Sequence, residues 1–279
     1  MNRVSKFVSS LLIPLALLSP RTASAEATVT LKDAYQPHFK IGTAINRSVA
    51  TGKGWRRSDE QVKGDIALVQ AQFNQVVAEK EMKWMSLHPR AGKDGYDWTA
   101  ADAFVEFGTK HNMELAGHTL VWHSQTPNWV FEGTFLKKIP VMAIGTQAHL
   151  NVSISFEAMD QSLAEMKALG LPIHVTELDV NGALGGQGGS GADVAGNAAA
   201  TDGGLVAEAD KKLTGAYTGI FKAFLKHKDA VKLVTFWGPN DANSWRSRGR
   251  PLLFDADGKP KPAFDAVIKL ATEDAPKAP

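Results

Sequence analysis

The sequence contains no cysteine, so no disulfide can brace it and the folded chain must rest on an apolar core. It also lacks a strong charge of either sign. Lys and Arg number 31 against 29 Asp and Glu, a formal net charge of +2. Arg3, Lys6 and Arg21 all precede the first acidic residue, Glu26. Long hydrophobic runs are few as well, and a membrane-spanning helix is the weaker reading of the apolar run 7–18, which is short and is interrupted by Pro14. With its basic start and the small residues Ala23-Ser24-Ala25, that run reads as a secretory signal peptide over 1–25. Residues 26–279 then hold 28 basic and 29 acidic side chains. Their charge of −1 disfavours nucleic acid as a partner. The expectation is an exported chain, secreted or periplasmic, with no membrane attachment after signal cleavage. No linker divides 26–279, and length and apolar content suffice for one domain with one large core.

What is present is an alternation of strand and helix patterns. Residues 39–45 read as a first strand. Ser58-Asp59-Glu60-Gln61 is a capping box ahead of Val62, Ile66 and Val69 at helical spacing. Residues 73–78 form a second strand that ends in the charged loop 79–84. A helix follows over 99–111, with Phe104 and Phe107 inward, and a third strand over 113–122. Residues 141–150 read as the fourth strand, followed by the stripe Phe156, Met159, Leu163 and Met166, which Gly170 stops. The fifth strand is 172–180, and 182–204 is a Gly/Ala-rich loop. Leu213, Tyr217, Ile220, Phe221 and Phe224 mark the next helix, 231–237 the sixth strand, and 263–270 a closing helix. Such alternation predicts an α/β fold with a parallel sheet.

The chemistry-bearing residues gather at the ends of these strands, where an α/β chain places its site. Glu177 and Asp179 lie two apart and share a face at the end of the fifth strand. Gln147 and His149 share a face of the fourth, and His118 and Trp122, four apart, a face of the third. Trp237 ends the sixth, with Trp245-Arg246 in the loop beyond. Tryptophans beside a carboxylate suit a carbohydrate, whose C–H faces stack on rings while its hydroxyls need polar partners. A metal site is the rival reading, since His118, His123, His149, Glu177 and Asp179 are all ligand types. The odd offset between His118 and His123 puts them on opposite faces of a strand, leaving too few convergent ligands. No cofactor or metal is called for.

Gly117-His118-Thr119-Leu120-Val121-Trp122-His123-Ser124-Gln125 resembles the third-strand signature of the family-ten glycoside hydrolases, the retaining endo-β-1,4-xylanases. Gly145 through Leu150, Thr176-Glu177-Leu178-Asp179, and Trp237 through Ser244-Trp245-Arg246 are similar to later blocks of that family, in the same order. The resemblance implies a TIM-type (β/α) barrel and cleavage of xylan or xylo-oligosaccharide with retention. It implies Glu177 as nucleophile, with His149 and Asp179 around it to keep it ionised. It implies that Glu79, Lys80 and Lys83 match positions that hold sugar upstream. His118, Trp122, Gln147, Trp237 and Trp245 match positions lining the cleft. Lys80 stands where the family has an asparagine, which weakens that subsite.

Two strand–helix units of the family are missing. Only 24 residues separate Trp122 from Gln147, whereas one strand–helix–strand unit takes about 30 or more. The family's acid/base glutamate, in a Trp-Asp-x-x-Asn-Glu block, has no counterpart. The expected fold is thus a barrel shortened to about six β/α units. Its third and fourth strands are sequence neighbours in one parallel sheet, joined by a short crossover near 131–140. Should the ring fail to close, those two strands become edges open to self-association. Glu132, Glu81 and Asp241 sit in strand-end loops and are the carboxylates that could replace the acid/base. Three readings stay open: an impaired xylanase, a non-catalytic xylan-binding remnant, and a mis-assembled gene whose true product holds the missing blocks. Sequencing across codons 130–141 separates the third from the others.

Overall fold

The computed structural model describes residues 29–119, 122, 124–131, 142–182 and 203–274. The signal segment, most of the crossover 131–140 and nearly all of the Gly/Ala-rich loop lie outside the described residues. Seven strands, all parallel, form the sheet: β1 (Lys40–Ile45), β2 (Gln75–Ala78), β3 (Glu114–Ala116), β4 (Ile144–Thr146), β5 (His149–Asn151), β6 (Ile173–Asn181) and β7 (Val231–Phe236). Their order is β3-β2-β1-β7-β6-β4, with β5 also paired to β6. This is the expected shortened (β/α) sheet. Its two sequence neighbours β3 and β4 lie at opposite ends of the order, and among the described residues no ladder joins them.

Between the strands run α1 (Leu31–Ala34), α2 (Arg47–Thr51), α3 (Asp59–Gln72), α4 (Trp84–Leu87), α5 (Asp102–Lys110), α6 (Phe156–Lys167), α7 (Gly203–Lys226) and α8 (Pro262–Asp274). Ser58 and Gln61 do form the capping box that starts α3, and Gly170, at φ 72°, follows the end of α6. α7 buries Leu213, Tyr217, Ile220, Phe221 and Phe224, a spacing that puts all five on one face. The Tyr217 hydroxyl donates to the Pro251 carbonyl at 2.6 Å, so its one polar atom is satisfied inside the core.

The middle of the sheet is filled by a cross-strand layer. Gly42 pairs with Gln75 on one side and Thr235 on the other. A Cβ on Gly42 would lie 1.7 Å from Gln75 Oε1, so the missing side chain is what admits the glutamine. Thr235 Oγ1 then donates to Gln75 Oε1 across the gap at 3.2 Å.

Two strands depart from the sequence pattern. The 113–122 stretch pairs only over Glu114–Ala116, so His118 and Trp122 are held by loop, not on a strand face. The 141–150 stretch breaks at Ala148, whose φ of 59° splits it into β4 and β5, so Gln147 and His149 do not share a face of one strand. The reason lies in β6. Thr146 pairs with Val175 and His149 with Asp179, while Val175 pairs with Val234 and Leu178 with Phe236. Seen from either neighbour, β6 carries one extra residue between Val175 and Leu178. This is a bulge, of the kind that re-aims side chains next to a site, and Glu177 lies inside it.

Candidate active site

Glu177 is only 4 % exposed, and both of its carboxylate oxygens are engaged. Lys83 Nζ lies 3.2 Å and His118 Nε2 2.5 Å from Oε1, while His149 Nε2 lies 3.0 Å from Oε2. Its backbone N–H donates to the Gln147 carbonyl at 2.9 Å, which ties the bulge to the β4–β5 break. Burial alone would push the Glu177 carboxyl up. The bonds from His118 and His149 and the Lys83 charge override it and hold the group well below the usual carboxylate range. The side chain is therefore an anion at any neutral pH, in the protonation state a nucleophile requires.

The donors are themselves positioned. Lys83 stands at the N-cap of α4 and is almost wholly buried. Its ammonium lies 4.9 Å from the Trp122 ring centroid and 5.1 Å from that of Trp237, so two π faces and one carboxylate share it. Burial pushes the Lys83 ammonium down, against the upward pull of Glu177. For His149, burial likewise acts downward, but contacts with Asp179 and Glu177 outweigh it and raise the ring. His149 Nδ1 lies 3.0 Å from Asp179 Oδ2.

Asp179 is fully buried and is held from the other side. Trp245 Nε1 donates to its Oδ2 at 2.8 Å, and Arg246 Nη1 to its Oδ1 at 2.7 Å and to the Leu150 carbonyl at 3.0 Å. Arg246 is the contributor that sequence reasoning passed over. In the sequence it stands only as the neighbour of Trp245, although a carboxylate buried at a strand end needs a cation close by. Trp237 and Trp245 flank His149, with ring centroids 6.3 and 5.0 Å away.

Lys83, His118, His149, Asp179, Trp122, Trp237 and Trp245 thus join Glu177 in one contiguous cluster. The remaining candidates are placed differently. Gln147 contributes its backbone carbonyl. Lys80 is exposed and takes part through its carbonyl, which accepts from Lys83 N at 3.0 Å. Glu79 follows β2 and donates its N–H to the Ile45 carbonyl at 3.3 Å. Burial, then the Glu81 charge, push its carboxyl up to about 7 against the pull of Lys80.

The substitutes for the acid/base fare poorly. Asp241 is buried and accepts from Lys261 Nζ and from Leu252 N, each at 2.9 Å, so it is spent on a structural contact. Glu81 accepts from Lys80 N at 3.3 Å. Glu132 lies outside the described residues, as does His123.

A parallel strand–helix sheet with an ionised carboxylate and indole rings at its strand ends is an arrangement that suits a sugar-cleaving site. The chain belongs to glycosyl hydrolase family 10, whose profile matches residues 30–139 and 133–270. The two matched pieces overlap at 133–139, where the missing units would lie. Endo-1,4-beta-xylanase A of Xylanibacter ruminicola is 26 % identical to this chain over 366 aligned positions, covering 91 % of this chain and 96 % of the relative. That alignment is longer than the 279 residues present here, so part of the relative has no counterpart in this chain. Endo-1,4-beta-xylanase 3 of Hypocrea jecorina is 27 % identical over 332 positions, covering 91 % of this chain and 93 % of the relative. Among solved structures, a GH10 xylanase of Thermobacillus composti superposes with a TM-score of 0.67 at 26 % identity, over 86 % of this chain and 99 % of its own. A GH10 endoxylanase from a sugarcane soil metagenome gives 0.69 at 25 %, over 87 % and 99 %.

Proposed function

We propose that this chain is a xylan-directed glycoside hydrolase of the retaining endo-1,4-β-xylanase type, with Glu177 as its nucleophile and with proton transfer impaired. The observation that carries the reading is the Glu177 carboxylate, buried yet kept ionised by His118, His149 and Lys83. Attack by one of its oxygens on the anomeric carbon would break the bond to the leaving sugar and form a glycosyl-enzyme. The names of the relatives point to the same substrate. Trp122, Trp237 and Trp245 offer ring faces for the sugar. Glu79, Lys80 and Lys83 are the upstream sugar contacts that the family resemblance implies.

The impairment rests on a missing partner. Retention uses two carboxyl groups about 5 Å apart, the second acting as acid and then as base. The sequence lacks the family's block for that group, and Asp179 is committed to Arg246 and Trp245. Loss of a general acid/base costs about 10²–10⁴ in rate. The second reading, a non-catalytic xylan-binding remnant, is favoured by the same commitment of Asp179.

An aryl xylobioside with a good leaving group separates the two. It needs little proton donation, so Glu177 attacks and the intermediate accumulates for want of a base to activate water. Intact mass spectrometry should show one glycosyl adduct. Azide, which needs no deprotonation, should speed turnover and release a β-glycosyl azide, and Glu177→Ala should abolish both effects. Rapid steady-state xylan hydrolysis with no adduct and no azide response would mean that a loop carboxylate such as Glu132 does the proton transfer. Neither adduct nor turnover would leave the binding remnant.

A further inference from the structure

The connection from β1 to α3 carries an aromatic ring that the site described above does not use. Trp55 is 83 % exposed, yet the turn that presents it is tightly built. A Cβ on Gly54 would lie 2.3 Å from the Arg57 carbonyl, so the turn closes this tightly only around glycine. Gly54 N–H donates to Asp59 Oδ1 at 2.8 Å. Two residues beyond Trp55, Arg57 grips the buried Asp65 with two bonds, Nε at 2.8 Å and Nη2 at 3.0 Å. Asn240 Nδ2 reaches the same carboxylate at 2.7 Å, and Asn46 Nδ2 reaches Asn243 Oδ1 at 2.9 Å. The Trp55 turn is therefore fastened to the segment after β7 that leads into Trp245 and Arg246. Planar guanidinium chemistry also covers the ring itself, with Arg56 Cζ 5.0 Å from the Trp55 centroid.

Position gives this ring its meaning, since single exposed apolar side chains are ordinary. β1 lies between β2 and β7 in the sheet. The loop after β1 consequently emerges between the one bearing Glu79 and Lys83 and the one bearing Trp237 and Trp245, at the same ends of the parallel strands. An indole backed on one face by a cation and open on the other suits the C–H face of a pyranose ring.

We propose that Trp55 is the platform of an outer sugar-binding subsite, taking a xylose ring of a β-1,4-linked chain whose inner rings lie in the Glu177 cleft. This rests on the xylan-directed reading above. Titration calorimetry of the full chain in the cold with xylotriose and xylohexaose tests it. The longer sugar should bind about five- to tenfold tighter, the range expected for one added ring contact. Trp55→Ala should remove that advantage and leave the xylotriose Kd unchanged. Trp55→Phe should keep most of it. An unchanged length advantage in Trp55→Ala, or none in the parent, would overturn the subsite while leaving the cleft reading intact. Failure of either sugar to bind the parent would overturn both.

Discussion

The centre of the sheet and its two ends are built to different standards. β1, β6 and β7 are paired on both sides and almost continuously buried, backed by α7 and α8. β3, β4 and β5 have three residues each, mostly half-buried or exposed, and β3 and β4 form the two ends of the strand order. The candidate site straddles this division. Glu177, Asp179, Trp237 and Arg246 belong to the centre or to its loops, whereas His118, Trp122 and His149 come from the ends. The family units missing from the sequence belong between those same ends. On the proposed reading, a deletion there would remove the proton donor and leave Glu177, the proposed nucleophile, on a strand paired on both sides, so the fold and that carboxylate would outlast full catalysis.

The largest expected effect comes from breaking the centre. Arg246→Met would leave Asp179 fully buried without its guanidinium, with the Trp245 indole and the His149 ring as its remaining side-chain partners. Removing one member of a buried pair costs about 3–5 kcal/mol, on the order of 10 °C in a chain of this size. Thermal melts followed by circular dichroism measure it. Combining Arg246→Met with Asp179→Asn should recover part of the loss, because the stranded charge is gone. If the double variant melts no higher than the single one, the pair is not what holds this corner.

A smaller effect separates the ends from the centre. Backbone amides of β1, β6 and β7 should exchange with deuterium at least about 100-fold more slowly than those of β3 and β4, since ends open locally and the centre only globally. Among the described residues β3 and β4 each lack a partner on one side, and such edges template pairing with another copy, so we expect sedimentation and melting to depend on concentration. A sharp, reversible, concentration-independent melt of a monomer above about 65 °C would contradict this, being beyond the usual mesophile range.

How much of this was readable in advance also follows the division. The β1, β6 and β7 segments, α3 with its capping box, and the Tyr217 face of α7 are visible as local patterns, because residues near in sequence dictate them. The shortness of β3 and the break at Ala148 are not. Both depend on which strand lies alongside, and the bulge opposite Ala148 lies far along the chain, between Val175 and Leu178 of β6. Glu177, Asp179, His149 and Trp245 were legible from motif and spacing. Arg246 was missed because its role appears only once Asp179 is known to be fully buried. Gln147 and Lys80 are expected to meet sugar through their side chains, and their carbonyls have a further role that no motif shows, accepting from Glu177 N and Lys83 N.

The finest test contrasts two carboxyl groups shifted in opposite directions. Glu177 is depressed by its donors, so the stability it contributes is present above its unfolded value and is lost as pH falls. Glu79 is raised from 4.5 to about 7 by burial and then by Glu81. The stability linked to its neutral form is present below 4.5 and is lost as pH rises through about 7. Near neutrality and above, an ionised Glu79 therefore works against the fold at the junction of β1 and β2. Glu79→Gln keeps the shape and removes the charge. Its melting point should match that of the parent near pH 5 and exceed it near pH 8 by a few degrees, given about 2–4 °C for each kcal/mol in a chain of this size. Glu81→Gln should narrow the gap by relieving the repulsion that helps raise Glu79. If Glu79→Gln shifts the melting point equally at both pH values, Glu79 does not titrate between them, and its environment is wetter than the packing at the end of β2 implies.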